Sequence, residues 1–539
     1  MERRKFLVAG AAAVAATACG RAAAPLPPGE LHGSGHAVGH RLRDGSLPLP
    51  GETRRRRVLI VGAGIAGLSA AWRLRKAGFD DFELLELDAV PGGNSRWGEN
   101  EVSRYPWGAH YLPLPTRESR AVRLLLSELG VLRGDPRAEF PEYDERALCF
   151  APQERLYYRG TWQEGLTPGI GASSADRSDW RRFQDRMEWF KHARGTDGRK
   201  AFAIPMARSS RDASYLVLDR VSMRDWLVAE GHASPAVHWL VDYACRDDYG
   251  CDYREASAWA GIHYFASRDG VARDSQSDAV LTWPEGNGWL VARMVEKFGL
   301  GISTGSIVHR VVEGARGVDV SVYVAAEDRS VAIRAEEVIW AAPLRFAARA
   351  LGPAGEALRA SLGGVDYAPW LTANLTLAEH PYERHGAPLA WDNVLHASPS
   401  VGYVVATHQR VTASVGPTVL TYYWPLVSGT PAEMRRRLIE TSRETWVESI
   451  LADLSRPHPE IRATTRRVDV FANGHAMIRP RPGFITGAAR ARLLQRGGRV
   501  HWAHADVSGF SIFEEAQYRG VAAAERVLER LGSGAASIL

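Results

Sequence analysis

The chain has 539 residues, 45% of them apolar and 24% charged, with a formal net charge of +5. That length can bury a large core, and the composition is ordinary for a soluble globular protein. So small a charge makes no case for nucleic-acid binding, and no RNA- or DNA-binding module accompanies it.

In chain order, Arg3-Arg4-Lys5 followed by the short Ala-rich run Val8–Ala18 reads as a twin-arginine export signal over residues 1–18. The run is too short for a lasting membrane span. Ala16-Thr17-Ala18-Cys19-Gly20 fits a bacterial lipoprotein cleavage site, with Cys19 lipidated, and Ala16-x-Ala18 also fits plain signal cleavage. Both leave the protein in the cell envelope, periplasmic or membrane-anchored, after transit through the twin-arginine machinery. Residues 19–53 are rich in Gly, Pro and Ala and read as a flexible tether. Within it His32, His36 and His40 would share a helical face, but Gly33, Gly35 and Gly39 argue against a helix and favour a solvated linker.

Val58-Leu59-Ile60-Val61 reads as a buried parallel strand running into Gly62-Ala63-Gly64-Ile65-Ala66-Gly67 and an apolar-periodic helix. The first glycine allows the tight turn, the second lets the backbone approach a pyrophosphate, and the third lets helix pack on strand. The helix start offers free N–H groups to phosphate. A second strand, Phe82–Glu86, ends in an acid 19 residues after Gly67, placed to accept from a ribose diol. These features predict a dinucleotide site.

Asp88 to Arg96 then carries a second glycine turn at Gly92-Gly93, and it resembles the E-x-x-x-x-x-G-G-R segment of the FAD-dependent amine oxidase and phytoene desaturase superfamily. The resemblance continues at Trp107-Gly108-Ala109-His110-Tyr111, at Thr282–Gly288, at Ser306-Ile307-Val308, and at Trp502–Asp506 with Phe513-Glu514-Glu515-Ala516 and Gly520. Asn94, His504 and Glu515 depart from the family pattern. It implies an α/β fold, with a Rossmann-type FAD-binding domain of the glutathione reductase type and an inserted α+β substrate domain. It maps the FAD domain to Arg54–Thr116, Ala279–Leu351 and Val468–Leu531, and the substrate domain to Arg117–Asp278 and Gly352–Arg467. It implies FAD contacts from Gly62, Gly64, Ile65, Ala66, Gly67, Glu86, Gly92, Gly93, Arg96, Gly108, Ala109, His110, Val308, Asp506, Phe513 and Ala516.

A flavin enzyme relies on the protein chiefly for orientation, electrostatics and exclusion of water. Many amine oxidases carry a lysine near the flavin on a substrate-domain strand. The matching strand here is Ala368–Leu377, and Thr372 takes the lysine's position. Alternation puts Trp370, Thr372, Asn374 and Thr376 on one face and Leu371, Ala373, Leu375 and Leu377 on the other, so Thr372 and Asn374 are candidates to face the flavin. A plain half-exposed strand is the alternative. Ile512 stands where amine oxidases often carry a tyrosine, and Tyr422, Tyr423 or Trp424 are candidate replacement walls or core aromatics. His504 is a candidate donor to the flavin; His501, His110 and His475 are weaker candidates, and metal ligation lacks further ligands.

The stretch Asp242–Glu255 interleaves carboxylates with aromatics. It fits either a wall for a cationic substrate or a helix end whose acids pair with Arg246 and Arg254. Cys245 and Cys251 read as buried thiols, with a disulfide as the alternative. The leading expectation is an FAD-dependent oxidoreductase of the amine oxidase type, removing a hydride from a C–N bond of a small, cationic or polyamine substrate and passing electrons to oxygen or a quinone. A desaturase or isomerase acting on a lipid-like substrate, and a non-catalytic envelope flavoprotein, are the alternatives. The first of these predicts an apolar tunnel with the acidic stretch on the exterior. Serine- or metal-hydrolase chemistry has no motif here.

Overall fold

The computed structural model describes residues 25–33, 39–41, 44, 47–273, 275, 278–411, 415–494 and 497–539. The export signal and Cys19 lie outside them.

Val58, Leu59 and Ile60 are fully buried. Val58 and Ile60 pack with the helix Ile65–Lys76, whereas Leu59 and Val61 pack into a separate core on the other side. Such a strand, apolar at every position, belongs inside a sheet covered on both faces. Around it the strands Ile302–Ser303, Phe82–Leu85, Glu52–Val61 and Arg329–Trp340 run parallel, and Val500–Trp502 pairs parallel with the last of them. The antiparallel strands Gly317–Val324 and Ser306–Gly314 complete a seven-stranded sheet. The C-terminal helix Phe513–Arg530 lies along Ile65–Lys76. Gly520 makes this approach possible, because a Cβ there would fall 2.0 Å from the Ala66 carbonyl oxygen.

A second sheet of eight strands is ordered Leu31–Gly33, Thr465–Ile478, Tyr367–Leu377, Thr418–Pro425, Gly402–Val405, Asp392–Leu395, Glu154–Tyr158 and Thr161–Glu164. Its central strand Tyr367–Leu377 is buried at all eleven positions. The alternative of a half-exposed strand is therefore excluded. The alternation does divide its faces: Leu371, Ala373, Leu375 and Leu377 join the core beneath helix Arg443–Leu454, and Trp370 and Thr372 face the other way. A helical layer covers that other side. It includes Ser174–His192, opened by a Ser173–Asp176 capping box, and Pro235–Tyr249, closed by Gly250 at φ +57°.

Two sequence boundaries are corrected. Thr465–Ile478 pairs antiparallel with Tyr367–Leu377, so residues 468–478 belong to the substrate-domain sheet and the last segment of the dinucleotide domain starts after them. The segment read as a flexible tether also contributes structure. Leu31–Gly33 pairs parallel with Val470–Ala472, Glu30 N donates to Asp469 Oδ1 at 2.9 Å, and Arg443 donates to the Pro27 carbonyl at 2.6 Å. A Gly/Pro-rich composition signals weak local preference, but an open sheet edge supplies backbone partners from outside the segment.

Candidate active site

The turn after the first strand has the geometry its glycines suggest. Gly62 has φ +99°, and a Cβ on Gly67 would lie 1.8 Å from the Gly62 carbonyl oxygen. Gly64 bridges to Gly92, and Gly93 Cβ would come 3.4 Å from Gly64 Cα, so the two glycine turns lie against one another. Ile65 and Ala66 open the helix, both buried. Glu86 accepts from Ala63 N at 2.8 Å and Asp88 N at 2.9 Å. Burial pushes its carboxyl up, against the pull of these two donors. Arg96 donates to the Gly93 carbonyl at 3.1 Å, ion-pairs with Asp88, and lies 5.0 Å over the Phe471 ring. Bare backbone at a helix start, with a carboxylate 19 residues on, fits a dinucleotide pyrophosphate and ribose.

At this loop a cavity of about 140 Å³, partly open to solvent, is lined by residues of both domains. The dinucleotide domain lines it with Gly93, Asn94, Gly108, Ala109, His110, Phe513 and Glu514; the second domain contributes Asp247, Asp248, Arg268, Trp370, Thr372 and Tyr423. Asn94 donates to the Ala476 carbonyl at 2.6 Å and accepts from Asn473 at 3.2 Å, which fixes a side chain where the family pattern has arginine. His110 stacks on Tyr423 and borders Trp391, 5.5 Å away. Burial lowers its pKa to about 4, so the ring is neutral near pH 7. Of the three candidate aromatics Tyr423 lines the cavity, as does Ile512, while Tyr422 and Trp424 lie in the core on the opposite face.

Other anticipated residues are placed differently. Thr372 lines the cavity, but Asn374 is outside its lining, donating to the Pro106 carbonyl at 3.2 Å and accepting from Thr421 at 2.7 Å. His504 is also outside the lining; its Nδ1 lies 3.0 Å from Asp506 Oδ1. Asp506 is fully buried and accepts from Leu344 N at 2.8 Å and the Tyr367 hydroxyl at 2.6 Å. Burial opposes its charge, but His504 and these donors hold it below the usual carboxylate range. Val308 is buried in the sheet opposite Val322, and Ala516 sits in the first turn of the C-terminal helix. His475 lies outside the cavity lining and His501 contacts Glu337 at 2.8 Å. The three described cysteines are free thiols.

The acids of the stretch divide between ion pairs and the cavity lining. Asp242 pairs with Arg246 at 3.1 Å and Asp252 with Arg254 at 2.6 Å, while Asp247 and Asp248 line the cavity. Asp248 is matched by Arg268 at 2.5 Å. Burial pushes the carboxyls of Asp247 and Glu514 up to about 7. Arg268 and Asn287 line the cavity and Trp391 packs behind His110 and Tyr111, none of them singled out by sequence reasoning. Arg268 and Trp391 belong to no motif, and their positions follow from packing alone.

A family model for an NAD(P)-binding Rossmann-like domain matches residues 60–129. Among solved structures, putrescine oxidase bound to putrescine superposes with a TM-score of 0.66 over 89% of this chain and 100% of that one, at 18% identity. The fold is shared with putrescine oxidase. Cyclohexylamine oxidase from Brevibacterium oxydans gives a TM-score of 0.62 over 88% of this chain and 99% of that one, at 17% identity. Curated sequence relatives of this chain include tryptophan 2-monooxygenase of Allorhizobium ampelinum, 30% identical over 32% of this chain and 22% of that protein. L-amino acid oxidase of Cerastes cerastes is 26% identical over 36% of this chain and 35% of that protein. The aligned part thus spans about a third or less of the length of these curated relatives.

Proposed function

We propose that this protein is an FAD-dependent oxidoreductase of the amine oxidase type, removing a hydride from the carbon of a C–N bond in a small amine, with oxygen or a quinone as final acceptor. The observation that carries this reading is the cavity between the two domains, whose wall includes Gly93 of the second glycine turn together with the carboxyls of Asp247 and Glu514, neither of which has an ion-pair partner among the described residues. FAD supplies the two-electron acceptor. Gly62–Gly67 and Glu86 would hold its pyrophosphate and ribose, and Asn94, Gly108, Ala109 and Phe513 the flavin end. Aromatic residues of the wall, Trp107, Tyr111, Trp370 and Tyr423, limit contact with water on their side of the cavity, which strengthens electrostatic contacts there. Thr372 offers a hydroxyl where a lysine would stand; the four lysines among the described residues contribute none to the lining.

The carboxyls argue against both a lipid and an amino-acid substrate. A lipid-like chain would bury Asp247 and Glu514 against hydrocarbon, at a cost of several kcal/mol if charged. A substrate carboxylate would face the same two acids, with Arg268 already matched by Asp248. An ammonium group meets neither obstacle. The deciding experiment is the visible spectrum of the purified protein, recorded anaerobically before and after adding monoamines, diamines and amino acids. Bleaching of flavin bands by an amine supports the reading; bands unmoved by every amine, or no flavin at all, overturn it.

We also propose that the folded holoprotein leaves the cytoplasm through the twin-arginine machinery and is anchored in the envelope through Cys19. Arg3-Arg4 and the Ala16–Cys19 run support this. Replacing both arginines with lysine would retain precursor in the cytoplasm, and Cys19→Ala would release the protein from membranes.

A further inference from the structure

Asn473, Ala476 and Met477 of strand Thr465–Ile478 line the cavity, and His475 between them does not. Its ring meets Tyr367 of the neighbouring strand at 6.1 Å and Phe346 of helix Leu344–Ala350 at 6.4 Å. Two guanidinium groups gather at the same tyrosine. Arg345 lies 5.6 Å from the Tyr367 ring and 5.8 Å from the Phe346 ring. Arg435, on helix Pro431–Glu440, donates to the Tyr367 carbonyl at 3.2 Å. Arg345 is exposed, and Arg435 and His475 are half-buried.

This cluster holds charge without counter-charge. Among the described residues the Arg345 guanidinium has no hydrogen-bond or ion-pair partner, the Arg435 guanidinium has the Tyr367 carbonyl alone, and the His475 ring has none. The two acids that act on these cations are committed elsewhere. Asp366 is paired with Arg479 and Arg481, each at 3.2 Å, and Asp506 accepts from Leu344 N and the Tyr367 hydroxyl. Burial and then Arg345 lower the pKa of Arg435. Burial, Arg345, Arg435 and His40 lower that of His475 to about 3, which leaves the imidazole neutral.

Like charges drawn partly out of water are relieved by an anion. The donors present suit one with several oxygens, because a guanidinium is a planar fork that meets phosphate through two N–H groups at once. The glycine turns supply no such group. Arg96 is paired with Asp88, and the uncharged Asn94 amide is bound to the Ala476 carbonyl. A dinucleotide laid along those turns meets backbone N–H groups there and no uncommitted cation.

We infer that Arg345, Arg435 and His475 form a binding site for a phosphate-type anion, supplied by the bound cofactor or by free phosphate. The first source rests on the FAD reading above; the second does not.

Two measurements on the full-length holoenzyme tell the sources apart in the wild type, Arg345→Gln, Arg345→Lys and Arg435→Gln. Arg436→Gln, at an exposed position of the same helix as Arg435, is the control. The rate of flavin release on dilution, followed by flavin fluorescence, reads a cofactor phosphate. Calorimetric titration with inorganic phosphate at fixed ionic strength reads a free one. A cofactor phosphate predicts release about 10-fold faster or more in both glutamine variants, an intermediate rate in Arg345→Lys, and no phosphate uptake by the wild type. A free anion predicts phosphate uptake by the wild type that both glutamine variants lose while flavin release stays unchanged. Unchanged release together with no uptake by the wild type overturns the inference. An equal effect of Arg436→Gln overturns it too, because net charge alone would then account for the change. Protein without flavin fails the FAD reading, while phosphate uptake that depends on Arg345 and Arg435 still supports the site; absence of both overturns both.

Discussion

Tyr423 stacks on His110 with ring centroids 4.5 Å apart and planes 27° from parallel, and its hydroxyl donates to the Gly108 carbonyl at 2.9 Å. One side chain from the substrate-domain sheet thereby holds the loop that edges the cavity on the dinucleotide side. Tyr423→Phe should keep the stack and lose the hydrogen bond, lowering stability by about 1 kcal/mol. Tyr423→Ala should cost about 3–5 kcal/mol and slow flavin bleaching as well. Urea unfolding read beside anaerobic bleaching separates the two; equal effects from both variants would show that the ring contributes nothing.

Gly520 tests how the two long helices of the dinucleotide domain meet. Its added Cβ would strike the Ala66 carbonyl oxygen at 2.0 Å, and that oxygen belongs to backbone at the start of the first helix. Overpacking of this kind costs about 1–3 kcal/mol, and more where backbone must move. Gly520→Ala should therefore yield protein with less flavin per chain and a lower melting temperature. Full flavin content by absorbance would show that the helices separate freely.

Glu86 serves two buried backbone donors, Ala63 N and Asp88 N. Glu86→Ala leaves both without an acceptor, at about 1–3 kcal/mol each. Glu86→Gln keeps one acceptor oxygen and should retain more cofactor than Glu86→Ala. Flavin content measured on equal amounts of folded protein checks the order; equal retention by the two variants contradicts it.

The carboxyls of the cavity make stability depend on pH in a definite direction. Asp247 is raised from 3.8 to about 7, chiefly by burial and then by Asp248, with Arg268 and Arg246 opposing. Asp392, buried and raised in turn, is repelled by the Asp247 charge. The folded state thus binds more protons than the unfolded chain between pH 3.8 and about 7, and stability falls as pH rises across that window. Glu154 and Glu514, each raised from 4.5 to about 7, act with the same sign. Asp247→Asn should therefore gain stability over the wild type, by an amount that grows from about pH 4 to about pH 7 and then levels off. Urea midpoints across that range test this, and a gain independent of pH would contradict it.

Sequence and structure divide the information along a physical line. The glycine turns, Glu86 and the strand Val58–Val61 could be read directly because backbone conformation and phosphate approach act within a few residues. The alternation of Ala368–Leu377 gave its two faces for the same reason, yet only packing shows that Asn374 turns to Pro106 and Thr421 while Thr372 reaches the cavity. In the acidic stretch, sequence left open which acids pair and which stay unmatched. Helix Pro235–Tyr249 answers by placing Asp247 and Asp248 in the lining, and Arg268 then takes only one of them.

By itself, then, the sequence determined a dinucleotide turn, the order of motifs and the α/β class, all of which rest on short-range conformational preferences. Tertiary structure decided the rest. It moved Thr465–Ile478 into the second sheet, laid Leu31–Gly33 along that strand, and brought Asp392 against Glu154 from 238 positions away. Each of these is a contact between segments far apart in the chain, where sheet pairing and burial outweigh local preference.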